Sequence, residues 1–259
     1  MREHNLKRPV IGVSFDGTGY GEDGNSWGGE FLLVKGRNFK RLGHLKYRMM
    51  PGGDKVVSEP WRMLLSILGR KAEPFLTGVP KKEQKLILTM LSKNINSPRT
   101  SSAGRLFDAA AALLGICLRA SYEAEGPIKL EKLCDEKVKE CYEVEIIREN
   151  GSYIVDTDGI FLGMVKDLRK GKDKRIIATK FHNSMAEIIL AMAKELSRSC
   201  KIKNIALSGG VFQNNFLKKR IMEKLSACGL NVFTNVHTPV NDLNISLGQY
   251  HVSCCTGKG

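Results

Sequence analysis

The spacing of apolar positions changes character three times along this chain. VIGVSF at 10–15 and the run at 30–35 read as short strands that can pair as a hairpin around a loop rich in glycine and acid. WRMLLSILGR and KKEQKLILTMLSKNI then carry helical spacing, with Gly78 and Pro80 between them as breakers. TSSAGRLFDAAAALLGICL at 100–118 predicts a helix, since Ser101 or Ser102 can cap it and alanine and leucine favour it. LEKLCDEKVKECYEV at 130–144 is a further helix candidate, and GSYIVDTDGIFLGMVKDL at 151–168 begins extended and ends helical. FHNSMAEIILAMAKELSRSC at 181–200 is amphipathic at helical period. KNIALSGGVFQNNFLKKRIMEKLSACG at 203–229 reads as strand, glycine turn and helix. NVFTN is a short strand, and ISLGQYHVS opens a last helix or strand. Strands, a helical middle and a β–α–β–α end predict an α/β protein with a helical insertion.

Composition narrows the class. The 259 residues are 42% hydrophobic and 26% charged, enough for a core and too apolar for disorder. No apolar run reaches the roughly 18 residues that span a bilayer, and MREHNLKRPV has no apolar signal core. A cytoplasmic protein without a membrane partner is expected. The seven cysteines form no C-x-x-C pair and read as reduced thiols. A net charge of +14 admits an anionic partner. The densest basic run, KDLRKGKDKR at 166–175, lacks interleaved aromatics and reads as a solvated helix end. Nucleic acid is not expected.

Several residues invite chemistry. In LSGGVFQNN at 207–215 a strand ends, Gly209 and Gly210 turn, and a helix opens near Asn214. Such a turn can admit an anion to the helix start, although alone it is more often structural. Asp16 ends a predicted strand and Asp242 sits in a loop after another. Two such carboxylates could share a divalent ion, but on spacing alone each reads better as an ordinary turn residue. Asp108 is an acid on an otherwise apolar helix; a ribose hydroxyl or Arg105 three residues earlier would answer it equally well. Glu131 stands at the other side of the helical middle. The five histidines form no H-x-x-x-H pair; His182, in KFHNS, could buttress a helix.

The strings FDGTGYGEDGNSWGGEF, PGGDKVVSEPWRM, TSSAGRLFDAAAALLGI, KFHNS, LSGGVFQNNFL and PVNDLNISLGQ occur in this order from residue 15 to residue 249. Together they resemble the C-terminal TsaD-like domain of the HypF carbamoyltransferases, which mature [NiFe] hydrogenases. The resemblance implies an ASKHA (actin-like, ribonuclease H-like) fold. It divides into the remainder of a first subdomain at 1–50, a helical middle at 51–200 and a second subdomain at 201–259. It implies ATP and carbamoyl-adenylate as ligands, with HypE as partner, its C-terminal cysteine accepting the carbamoyl group. Asp16 and Asp242 resemble ligands of a divalent ion (iron, zinc or magnesium), and Gly17, Thr18 and Gly19 resemble a phosphate loop. Asp108 and Glu131 resemble acids that hold ribose, and Gly209, Gly210 and Asn214 resemble the nucleotide-binding turn. No catalytic residue is implied.

The chain departs from the family in places. Leu243-Asn244 replaces Gly-Gly after Asp242, and YEAEGP at 122–127 replaces YEGQAA. The family's H-x-x-x-H pair would lie upstream of MREHNL, so a companion chain carrying it and the N-terminal domains is an expected partner. Two alternatives accompany this reading: a non-catalytic remnant or HypE-docking module, and a relative of the tRNA threonylcarbamoyltransferases.

Overall fold

A computed structural model describes residues 3–256. Met1 and Arg2 of the MREHNL string lie outside the described residues, as does the side chain of Cys255. In chain order the elements begin with β1 (Val10–Tyr20), β2 (Ser26–Lys35), β3 (Asn38–Leu45) and β4 (Arg48–Met49). Then come α1 (Lys55–Ser58), α2 (Trp61–Leu68), a 3-10 turn at Gly69–Phe75, α3 (Lys81–Lys93), β5 (Arg99–Thr100), α4 (Ala103–Leu113) and α5 (Glu125–Glu131). The chain continues through β6 (Glu145–Glu149), β7 (Ser152–Asp156), α6 (Asp158–Arg169), α7 (Lys174–Cys200) and β8 (Asn204–Ser208). It ends with a 3-10 turn at Gly210–Gln213, α8 (Asn215–Ala227), β9 (Asn231–Phe233), a 3-10 turn at Asp242–Asn244 and α9 (Ile245–Thr256).

One mixed sheet organises the molecule, with strand order β6-β7-β3-β2-β1-β8-β9 and the short β4 and β5 beside β2. It draws strands from all three ranges expected of the sequence. β1, β2 and β3 form an antiparallel meander, whereas β8 runs parallel to β1, with Ser14 opposite Ser208. Parallel pairing needs a crossover, and helices supply it. No helix among the described residues is long and apolar enough to cross a membrane.

Helix α4 lies at the centre, and all eleven of its residues are buried. A helix apolar on nearly every side belongs inside a core. Its N-cap is Ser102, whose Oγ accepts from the Arg105 N–H at 3.1 Å. The same hydroxyl lies 2.7 Å from the carbonyl oxygens of Asp16 and Gly17, which ties the helix start to β1.

Two expectations change. The glycine-rich stretch is not a loop: Gly17, Thr18 and Gly19 lie on β1, at a register shift between Phe15 and Gly19. Only a short turn around Gly21–Asn25 leaves the hairpin. The glycines serve close approach. A Cβ on Gly28 would meet the Asp16 carbonyl oxygen at 2.7 Å, and one on Gly29 would overlap the Ser101 carbonyl and press on Leu45. A Cβ on Gly104 would stand 2.9 Å from Gly17 Cα.

The helix expected over 130–144 also fails. α5 stops at Glu131, and the following segment is a strap without regular structure. Its backbone bonds go instead to side chains of α7 and α8. Asp135 N–H donates to Thr179 Oγ1 and Tyr142 N–H to Ser184 Oγ. Asn183 donates to the carbonyls of Val138 and Glu140, and Arg220 to those of Glu136 and Val138. Tertiary acceptors and donors thus replace the helical ladder.

Candidate functional site

A cavity of about 240 Å³ opens where β1, α4, α5 and the start of α8 meet. Of the residues singled out in the sequence, Asp16, Gly17, Thr18, Glu131, Gly210, Asn214 and Asp242 line it. Gly19, Asp108 and Gly209 do not.

β1 and the turn after β8 deliver the first wall. Asp16 Oδ1 accepts from the Gly17 N–H at 2.8 Å, and the Gly210 N–H also bonds this carboxylate. Burial raises the Asp16 carboxyl above its ordinary range, and the nearby charges of Asp242 and Glu123 push the same way. Gly209 makes this junction possible. Its φ of +102° favours glycine, and a Cβ there would overlap the Phe15 carbonyl oxygen. Thr18 bonds across the hairpin to Ser26, 3.0 Å between hydroxyl oxygens.

The N-terminus of α8 makes the second wall. Asn214 caps it, with Oδ1 accepting from Leu217 N–H at 2.8 Å. Glu131 accepts from the N–H groups of Asn215 at 2.8 Å and Phe216 at 3.2 Å. A carboxylate at a helix start is favoured by the aligned peptide dipoles.

Behind Asn214 stands a residue whose part in this wall the sequence only hinted at. His182 is fully buried on α7, within KFHNS. Its Nδ1–H faces the Ala178 carbonyl at 2.8 Å, and its Nε2 accepts from the Asn214 amide at 2.9 Å. Burial holds its pKa down to about 4, so the ring is neutral. The neighbouring Cys134 Sγ lies 3.2 Å from Nδ1; burial pushes that thiol up to about 12, so it is no nucleophile.

Asp108 answers the question left open in the sequence. Its Oδ2 lies 3.1 Å from Arg105 Nη2, and it faces its own helix rather than the cavity. Burial raises its pKa to about 6, against the lowering effect of Arg105.

Asp16 and Asp242, the residues expected to hold a metal ion, face one cavity. Among the described residues, however, no group of three or more His, Cys, Asp or Glu side chains is placed to hold a metal ion. Asp16 is already engaged by two backbone N–H groups. These residues do not by themselves compose a metal site, and no chemical step is assigned to one here.

Comparison with known proteins places this geometry. Residues 12–249 match the family model "Carbamoyltransferase, Kae1-like Domain, second subdomain". A carbamoyltransferase HypF homolog of Cupriavidus necator is 36% identical over 98% of this chain and 67% of its own length. A probable carbamoyltransferase HypF of Methanocaldococcus jannaschii is 36% identical over 96% of this chain and 33% of its own. The crystal structure of full-length HypF in a phosphate- and nucleotide-bound form superposes with a TM-score of 0.95 at 38% identity. It is matched over 99% of this chain and 34% of its own. The chain thus spans two thirds of the first relative and about a third of the other two.

Proposed function

This chain belongs to the family of HypF-type carbamoyltransferases with a Kae1-like domain, and from that membership we propose that it is the transfer part of such an enzyme. In this reading it holds carbamoyl-adenylate, made from carbamoyl phosphate and ATP, and passes the carbamoyl group to the C-terminal cysteine of HypE during [NiFe] hydrogenase maturation. The acceptor thiolate attacks the carbamoyl carbon, a C–S bond forms, the C–O bond to the adenylate phosphate breaks, and AMP leaves. The thiol proton is lost before attack, since the thiolate is the nucleophile.

The observation that carries the reading is the meeting of β1 and the α8 start at one cavity. Gly17 and Gly210 bring backbone without side chains to the cavity wall beside Asn214, while the first N–H groups of α8 are held by Glu131 and Asn214. Glu131, exposed to the cavity on one side, can accept from sugar hydroxyls. This chain's own residues bind and orient the nucleotide and wall it from water. The ion that Asp16 and Asp242 would share needs further donors, for which the remaining domains of the enzyme, in this protein or in a companion chain, are the proposed source. The free thiols of Cys117, Cys134, Cys141, Cys200, Cys228 and Cys254 accord with a cytoplasmic protein.

Intact-mass analysis of HypE tests the reading, with this chain, a companion chain making carbamoyl-adenylate, ATP and carbamoyl phosphate. Carbamoylated HypE that depends on this chain is expected. Unmodified HypE while the companion still forms carbamoyl-adenylate would overturn transfer.

A further inference from the structure

The cavity is walled mainly by acid. Asp16, Asp54, Glu123, Glu131 and Asp242 line it, and Arg105 is the single basic side chain among its described lining residues. An anionic ligand entering such a cavity meets repulsion from every carboxylate that lacks a counter-charge.

Arg105 is an unusual residue to find there. It is 7% exposed, on the central helix α4. A guanidinium carries five N–H donors in one plane, and a buried one ordinarily has most of them filled. Here the contact to Asp108 uses only Nη2, and it lacks the alignment of a hydrogen bond. Nε and Nη1 have no acceptor among the described residues but are shut off from solvent, which leaves Nη2 as the edge toward the cavity wall. The guanidinium lies against the strand that forms the cavity wall, since a Cβ on Gly17 would stand 3.4 Å from Nη2. Were Arg105 only the partner of Asp108, nothing would require its guanidinium to border this acidic cavity.

We propose that Arg105 is the anion-holding residue of this cavity, the Nη2 edge of its guanidinium taking an oxygen of the phosphoryl group of a nucleotide ligand. The proposal rests on the nucleotide reading above and adds to it the group that offsets the five carboxylates. Planar, forked recognition of phosphate is what a guanidinium does better than an ammonium. Lose the arginine, and the acidic wall makes a nucleoside monophosphate the poorer ligand than its uncharged nucleoside.

Calorimetric titration of the full chain with adenosine and with AMP tests this, under chelator so that no metal supplies the missing charge. The readout is the ratio of the two dissociation constants, which isolates the phosphoryl group from the rest of the ligand. In the wild-type protein AMP is expected to bind about tenfold or more tighter than adenosine, the scale of one charge-assisted contact. In Arg105→Met the ratio falls to one or inverts. Because that variant leaves Asp108 buried without its partner, Arg105→Met/Asp108→Asn is measured beside it, and circular dichroism decides which variant is folded. An undiminished AMP preference in the folded variant would overturn the proposal, as would a wild-type ratio of one. Adenosine binding without any gain for AMP removes the Arg105 subsite alone. Binding of neither ligand removes the nucleotide reading and the subsite with it.

Discussion

His182 Nε2 accepts a hydrogen bond from the Asn214 side-chain amide across 2.9 Å, deep beneath the cavity floor. Since Nδ1–H faces Ala178, the tautomer is fixed, and the amide of Asn214 has one orientation left. Its oxygen then points at Leu217 N–H and closes the α8 cap. A buried histidine on one helix thereby sets the N-terminus of another. Replacing it with alanine removes the acceptor and opens a hole, so His182→Ala should cost roughly 3 kcal/mol in urea unfolding. His182→Gln should cost less.

The same ring has a pH signature. Its folded pKa of about 4 lies below the ordinary 6.5, so between these values the unfolded chain binds more protons. The ring's contribution to stability is therefore lost as pH falls from about 6.5 to about 4. Relative to His182→Gln, the wild type should lose roughly 3 kcal/mol across that window, at 1.36 kcal/mol per pKa unit. Urea midpoints taken at half-unit pH steps check this; parallel curves would refute it.

Asp108 carries the opposite sign. Burial lifts its folded pKa to about 6 from an ordinary 3.8, so the folded state binds more protons between them. Its contribution to stability is present in acid and is lost as pH rises from about 3.8 to about 6. The stability of the wild type minus that of Asp108→Asn should fall over this interval. Carbon-detected NMR of the carboxyl should show titration near 6, while Asp167, held down to about 2 mainly by the Lys180 hydrogen bond against the cost of burial, stays ionised.

Gly29 is the sharpest steric test of the hairpin. A Cβ there overlaps backbone at Ser101 and crowds Leu45, and backbone cannot step aside as a flexible side chain can. Gly29→Ala should destabilise by about 2 kcal/mol or more. Gly248→Ala, within α9 and with open space around it, should be neutral or slightly stabilising, on helix propensity. Thermal melts of the two variants give the comparison.

Much of this fold could be read from periodicity. The core-facing spacing of α2, α4 and α7, the Ser102 cap and the strand–turn–helix at β8 and α8 all follow from local pattern and are present. What failed has tertiary causes. The strap after α5 has helical composition, yet Thr179, Asn183, Ser184 and Arg220 outbid its own backbone. β3 and the exposed β6 were not anticipated: β6 has no buried face to impose alternation. Of the glycines that suggested a loop at 17–29, Gly17, Gly28 and Gly29 pack against the start of α4 or the residues just before it, and Gly19 and Gly21 lie against Trp27. Within the cavity, Asp16, Asp242, Glu131 and the Gly210–Asn214 turn were each identifiable and do meet. Arg105 entered the sequence reading only as a partner for Asp108, because nothing in a helix pattern marks which side of a buried ion pair borders a cavity.

The central claim is that a nucleotide sits between β1 and the start of α8. The most direct measurement is amide chemical-shift mapping of the full chain during titration with AMP. Shifts concentrated at Gly17, Thr18, Gly210, Asn214 and Asn215, saturating together with one dissociation constant, are the expected result. An unchanged spectrum at millimolar AMP, or shifts confined to residues away from this cavity, would contradict it.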